Sequence, residues 1–306
     1  PRVQGVSRPL PSVCQVSESR WDELSLQRPG GLRLHARHYR RRAAADVLAD
    51  RVPVVCIPGL TRNCRDFESL ALHLSTTRDV LTPDLRGRGR SDHDPDWRNY
   101  RLDVYVADIL AWFDSLELSR VTIIGTSLGG LVGMFLGAAR RDRVAGLVMN
   151  DIGPEFSPVG MMRIASSVGT AAVVSRWEQA EADTRTGYAH VMPDFTAEQW
   201  RAFTRQIYHE EAPGRIVRDM DPLLGKALRD TSMPVPDFWG AFAALDGLPL
   251  LVLRGELSDL LDEVTLARMQ ATLPNLQSVT IPLRGHTPTL DELESRRAID
   301  DFLTRC

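Results

Sequence analysis

Val121-Thr122-Ile123-Ile124-Gly125-Thr126-Ser127-Leu128-Gly129-Gly130 is the stretch on which the fold turns. Its first four residues form a short run without polar alternation, the pattern of a strand covered on both faces, as in a parallel sheet. Leu128–Ala139 then reads as a helix, and between strand and helix stands a G-x-S-x-G sequence. A serine on such a sharp turn needs strained backbone geometry, and small residues two positions before and after it let strand and helix approach closely. The turn also sets Ser127 at a helix N-terminus, where free N–H groups stabilise developing negative charge. Ser127 is therefore the candidate nucleophile.

Outward from this stretch the chain keeps the same rhythm. Upstream, strands are expected at Trp21–Gln27 and Leu32–His38, joined by the turn Pro29-Gly30-Gly31, and at Val52–Ile57 and Val80–Thr82. A helix is expected over 102–116, with Val106, Ile109, Leu110, Phe113 and Leu116 on one stripe. Downstream, the strands are Val144–Met149, Leu248–Leu253 and Val279–Leu283, with helices near Asp262–Met269 and Leu290–Phe302. Alternating strands and helices imply an α/β fold: a mostly parallel sheet with helices on both faces.

Residues 155–236 break the rhythm, offering helices around Met161–Glu181 and Thr196–His209 and no convincing strand. An insertion of roughly 80 residues is too long for a simple loop. It is expected to form a helical lid over the C-terminal edge of the sheet, where open α/β sheets bind ligands. Most of its aromatics are assigned to its own core and one or two to the pocket. The expected organisation is an irregular N-terminal arm at 1–20, a catalytic domain at 21–154 and 237–306, and the lid at 155–236.

A serine hydroxyl is a weak nucleophile and needs a base held by an orienting acid. Among the seven histidines, His286 follows Arg284-Gly285 directly after the last strand and precedes the C-terminal helix, on the same sheet edge as Ser127. It is the candidate base. The acid is expected at Asp259, in the loop Arg254–Asp259 after the strand Leu248–Leu253; Glu256 in that loop and Asp151 after Val144–Met149 compete for the role. The oxyanion hole is expected from the backbone N–H groups of Leu128 and of Leu60, where Gly59 gives the chain room to turn. Arg62 is assigned to the surface.

Composition narrows the partners. With 43% hydrophobic and 25% charged residues the chain is of globular type, and 37 basic against 40 acidic residues announce no nucleic-acid partner. No segment approaches the length of a transmembrane helix, the first residues lack an apolar signal core, and the expected location is cytoplasmic. Cys14, Cys56, Cys64 and Cys306 lack disulfide-scaffold or metal-site spacing; Cys56 is expected buried and Cys64 accessible. No ligand cluster suggests a metal, and a homo-oligomer mediated by the lid or an edge helix is compatible with the sequence.

Taken together, Ile57-Pro58-Gly59-Leu60, Asp84-Leu85-Arg86-Gly87-Arg88-Gly89-Arg90-Ser91, the elbow Gly125–Gly129, the loop Arg254–Asp259 and Gly285-His286 make the chain resemble the α/β-hydrolase fold family. Within it, the resemblance is to small lid-bearing serine hydrolases such as enol-lactonases and esterases, over roughly 21–153 and 237–304. The chain order Ser, Asp, His agrees with that family's arrangement. The resemblance implies an eight-stranded sheet with the lid after strand six, a triad of Ser127, Asp259 and His286, no cofactor, and a structural role for Asp84–Ser91. Pro58 departs from relatives that carry histidine before the glycine. Serine at the nucleophile position argues against dehalogenase and epoxide hydrolase chemistry, and Thr287 after the histidine lowers the case for C–C hydrolysis. The expected activity is cleavage of a carboxylic ester or lactone of a small apolar or aromatic molecule; C–C hydrolysis, acyl transfer on the same triad and a non-catalytic binding module are the alternatives.

Overall fold

The computed structural model describes residues 20–42, 51–170, 173–232 and 234–306. The N-terminal arm, including Cys14, falls almost wholly outside these residues. Ten strands are described: β1 (Asp22–Gln27), β2 (Arg33–Tyr39), β3 (Val54–Ile57), β4 (Val80–Pro83), β5 (Val121–Thr126), β6 (Val144–Asn150), β7 (Tyr208–Ala212), β8 (Arg215–Arg218), β9 (Leu250–Gly255) and β10 (Gln277–Ile281). The helices are α1 (Glu68–Leu74), α2 (Leu102–Ser115), α3 (Leu128–Ala139), α4 (Pro158–Ser167), α5 (Trp177–Tyr188), α6 (Ala197–Ile207), α7 (Leu224–Leu228), α8 (Phe238–Ala243), α9 (Glu263–Thr272) and α10 (Leu293–Leu303).

Eight strands form one sheet in the order β1-β2-β4-β3-β5-β6-β9-β10. β2 runs antiparallel to both β1 and β4, and the remaining pairs are parallel. The continuous apolarity of the inner strands has the expected cause: both faces are buried. Along β3, Val55 and Ile57 enter the core under α2, α3 and α8, whereas Val54 and Cys56 enter the core under α1 and α10. β5 and β6 divide in the same way, with Ile123 and Met149 on the first face and Ile124 and Val148 on the second.

The stripe of α2 is rotated from the expected one. Tyr105, Asp108, Ile109, Trp112 and Phe113 are its buried residues. A carboxylate can occupy that face because Asp108 is gripped by Arg86 (2.7 Å) and by Arg28 (2.9 Å), which satisfies the charge inside the protein. The Asp84–Ser91 turn is held in a similar way. Asp84 accepts from the backbone N–H groups of Cys64 (2.6 Å) and Arg90 (3.0 Å) and bonds His35 Nδ1 (2.7 Å). Cys64, expected to be accessible, is buried, and burial pushes its thiol well above the usual range, with Asp84 adding to the shift.

The segment between β6 and β9 contains α4 to α8 and also β7 and β8, an antiparallel ribbon absent from the sequence reading. The single expected helix over Met161–Glu181 is two helices, α4 and α5; the chain turns away at Gly169, whose φ of +82° suits glycine. Trp200, Ile207, Tyr208 and Ile216 belong to a separate small core within this segment.

Candidate active site

The sharp turn at Ser127 depends on two glycines. Ser127 has φ 51° and ψ −115°, outside the ordinary helical and extended regions. A Cβ on Gly125 would lie 2.3 Å from the backbone of Gly129, and one on Gly129 would lie 2.0 Å from the carbonyl oxygen of Ile57. Only hydrogen at these Cα atoms lets α3 start directly above β5 and beside β3. The same packing brings the next loop close: a Cβ on Gly59 would sit 3.7 Å from the Ser127 Cβ. Leu60 is fixed in that loop by Arg88, whose Nε donates to the Leu60 carbonyl at 2.8 Å.

Ser127 Oγ donates to His286 Nε2 at 3.0 Å, and His286 Nδ1 donates to Asp151 Oδ2 at 2.8 Å. The carboxylate beside the histidine is therefore Asp151, not Asp259. Sheet order explains the choice. β6 is the immediate neighbour of β5, Thr126 pairs with Asn150, and the Ser127 N–H donates to the Asn150 carbonyl at 3.0 Å. Asp151 consequently leaves the sheet one strand from the serine, with φ 55° and no exposed surface.

The loop that the sequence marked as the source of the acid holds Asp151 instead. Gly255 N–H donates to Asp151 Oδ1 at 2.7 Å and Ser258 Oγ donates to Oδ2 at 2.6 Å. Three donors, one of them the imidazole, thus fix both oxygens of a buried carboxylate. Asp259 is turned toward α4, where Arg163 forms a two-pronged pair with it, Nε to Oδ2 at 2.5 Å and Nη2 to Oδ1 at 2.7 Å. Gly160, one turn earlier on α4, allows this docking, since a Cβ there would meet the Asp259 carbonyl oxygen at 2.6 Å. Burial works to raise the Asp259 carboxyl, but the Arg163 hydrogen bonds and charge outweigh it and hold the group below its ordinary value. Glu256, the other competitor, is exposed and accepts from the Leu283 N–H at 3.0 Å.

The Leu60 and Leu128 amides have no acceptor among the described residues. Leu128 is the first residue of α3, where an N–H has no partner within the helix. Leu128 follows Ser127 directly, and Leu60 follows Gly59, the residue that approaches the Ser127 side chain. Above them lies a cavity of about 440 Å³ lined by Ser127, His286 and Thr287 from the sheet edge and by Tyr188, Met192 and Phe203 from the insertion. Its volume lies in the small-molecule range. Arg62, expected at the surface, lines this cavity; it pairs with Asp66 at 2.6 Å and lies 4.5 Å from the Phe203 ring centre.

The family described as alpha/beta hydrolase fold matches residues 52–293. The chain belongs to the α/β-hydrolase family. This hydrolase is similar to a 3-hydroxybutyrate-oligomer hydrolase of Cupriavidus necator, 34% identical over 250 residues that cover 77% of this chain and 83% of the relative. It is also similar to the crystal structure of an alpha/beta hydrolase from Novosphingobium aromaticivorans, with a TM-score of 0.87, 40% identity, and coverage of 94% of this chain and 99% of that one. The hydrolase keeps the eight-stranded, mostly parallel sheet that the resemblance implied. Among its described residues no helix is long and apolar enough to cross a membrane.

Two features of this α/β-hydrolase were not visible in its sequence. The role of Ser258 as a donor to Asp151 has no motif, because it depends on how the loop after β9 folds back over β6. The pairing of Arg163 with Asp259 joins residues 96 positions apart. The proximity of Asp151 to Ser127 did leave a signal: Asp151 directly follows the buried run Val144–Asn150, as a sheet-edge carboxylate would.

Proposed function

We propose that this chain is a serine hydrolase that cleaves a carboxylic ester of a small molecule through an acyl-enzyme, with Ser127 as nucleophile, His286 as base and Asp151 as orienting acid. The observation that carries this reading is the continuous hydrogen-bonded line from Ser127 Oγ through His286 to Asp151 at 3.0 and 2.8 Å, opening into a small cavity. The likeness to a hydrolase of 3-hydroxybutyrate oligomers supports an ester between small hydroxy acids as the bond cut.

In the first step His286 Nε2 takes the Ser127 proton as Oγ adds to the ester carbonyl. The oxyanion that forms is held by the N–H groups of Leu60 and Leu128, donors of a kind each worth about 3 kcal/mol to the transition state. Asp151 keeps Nδ1 protonated and stabilises the imidazolium without itself taking the proton. The tetrahedral species collapses, the C–O bond to the leaving alcohol breaks, and His286 returns its proton to that oxygen. Water then enters, loses a proton to His286 and adds to the acyl-enzyme. Collapse of this second intermediate releases the acid and restores the Ser127 hydroxyl. In this reading the insertion acts as a lid, contributing Tyr188, Met192 and Phe203 to the wall of the cavity.

The test is hydrolysis of p-nitrophenyl esters from acetate to decanoate by the purified protein. A cavity of about 440 Å³ is of small-molecule size, so the preferred chain length should fall within this series. Failure to turn over any chain length would remove the esterase reading and move the assignment to lactones or C–C bonds.

A further inference from the structure

The charges around the cavity do not balance pairwise. Four arginines line it: Arg62, Arg163, Arg218 and Arg284. Three are engaged by carboxylates. Arg62 pairs with Asp66 at 2.6 Å, Arg163 with Asp259 at 2.5 Å, and Arg284 with Asp194 at 2.5 Å and Glu292 at 2.9 Å. Arg218 has no carboxylate partner among the described residues. Its contacts are Nε to the Tyr208 hydroxyl at 3.4 Å and Nη1 to the Ser167 carbonyl at 3.5 Å, both at the outer limit of hydrogen bonding.

The backbone of Arg218 is also held in place. Arg218 is the last residue of β8 and pairs with Tyr208 across the ribbon, and the Tyr208 ring, buried in the small core of the insertion, lies 5.9 Å from the guanidinium. A guanidinium stays charged at any working pH and presents a fork of donors that matches a carboxylate. A half-buried cation on the wall of a cavity, without a counter-charge among the described residues, suits an anion supplied by the ligand.

We propose that Arg218 is the subsite for a substrate carboxylate, so that the hydrolase takes its ester as a free acid. This rests on the ester-hydrolase reading and names its substrate class: short oligoesters of hydroxy acids, with the scissile ester at Ser127 and a terminal carboxylate on Arg218. Its neighbours Arg62, Arg163 and Arg284 are bound to protein carboxylates and hold the walls of the pocket.

The test separates binding from turnover. In the Ser127→Ala protein, calorimetry compares the linear dimer of 3-hydroxybutyrate as free acid with its methyl ester. The acid should bind about tenfold or more tightly than the ester, the range of a charge-assisted hydrogen bond. Adding Arg218→Met should erase that preference, Arg218→Lys should restore part of it, and thermal melting should show all three proteins folded. Equal binding of acid and ester, no measurable binding of the acid, or a preference that survives Arg218→Met would each overturn the proposal. Should the unmodified protein cleave nitrophenyl esters while acid and ester bind alike, the hydrolase reading stands and the subsite falls. Should it cleave no ester while the acid is still preferred through Arg218, the reading fails and the anion site stands.

Discussion

Ser127→Ala is expected to lower kcat on the best p-nitrophenyl ester by about 10⁴-fold or more, with a small change in KM. The size follows from the chemistry: without Oγ no acyl-enzyme forms, and the residual rate comes from the oxyanion donors acting on water, about 10³–10⁴ above the uncatalysed reaction in comparable sites. The small change in KM follows from the structure. Alanine removes one oxygen from the cavity wall and leaves the walls built by Leu60, Met192 and Phe203 as they were. Because residue 127 holds a positive φ, the variant's fold should be checked by melting, and an unchanged transition together with a rate loss below about tenfold would contradict the assignment.

The second large effect separates two aspartates. Asp151→Asn is expected to lower kcat by about 10³–10⁴-fold, because an amide oxygen cannot stabilise the imidazolium and the amide group can hold the ring in the wrong tautomer. Gly255 N–H and Ser258 Oγ would then face an Asn side chain of the same shape, so the geometry should persist while the rate falls. Asp259→Asn should cost less than about tenfold in kcat. Its expected effect is on the insertion, since Arg163 would lose a charged partner that is about a quarter exposed. Looser attachment of α4 to the loop after β9 would show mainly in KM. Rate losses of the opposite order, with Asp259→Asn the more severe, would restore the acid to the loop after β9.

The confusion between these aspartates marks where sequence reasoning ends. Gly125, Ser127 and Gly129 were legible because three local demands, a strained turn, a close helix approach and a free helix N-terminus, leave few residue types for those positions. The sheet was legible because strands buried on both faces write unbroken apolar runs. The acid was not. Asp151 and Asp259 both follow parallel strands, and only the strand order shows that β6 lies next to β5 and β9 one place further away. The ribbon β7–β8 escaped for a different reason. Four of the nine residues in Tyr208–Ala212 and Arg215–Arg218 are charged, neither strand shows apolar alternation, and the Pro213-Gly214 turn between them was the sole cue. Arg218 shows the same limit: its charge is written in the sequence, whereas its place on the cavity wall, with no carboxylate partner among the described residues, depends on the fold of the insertion.

The most direct test of the triad needs no knowledge of the substrate. A fluorophosphonate that reacts with activated serines should label the protein once, and peptide mapping should place the adduct on Ser127. The second-order rate of labelling should fall about 10²-fold or more in Asp151→Asn and stay within about threefold in Asp259→Asn, because the phosphonate needs the activated oxygen and little of the pocket. An adduct on another serine, no adduct at all, or a labelling rate that depends on Asp259 and not on Asp151 would contradict the Ser127–His286–Asp151 assignment.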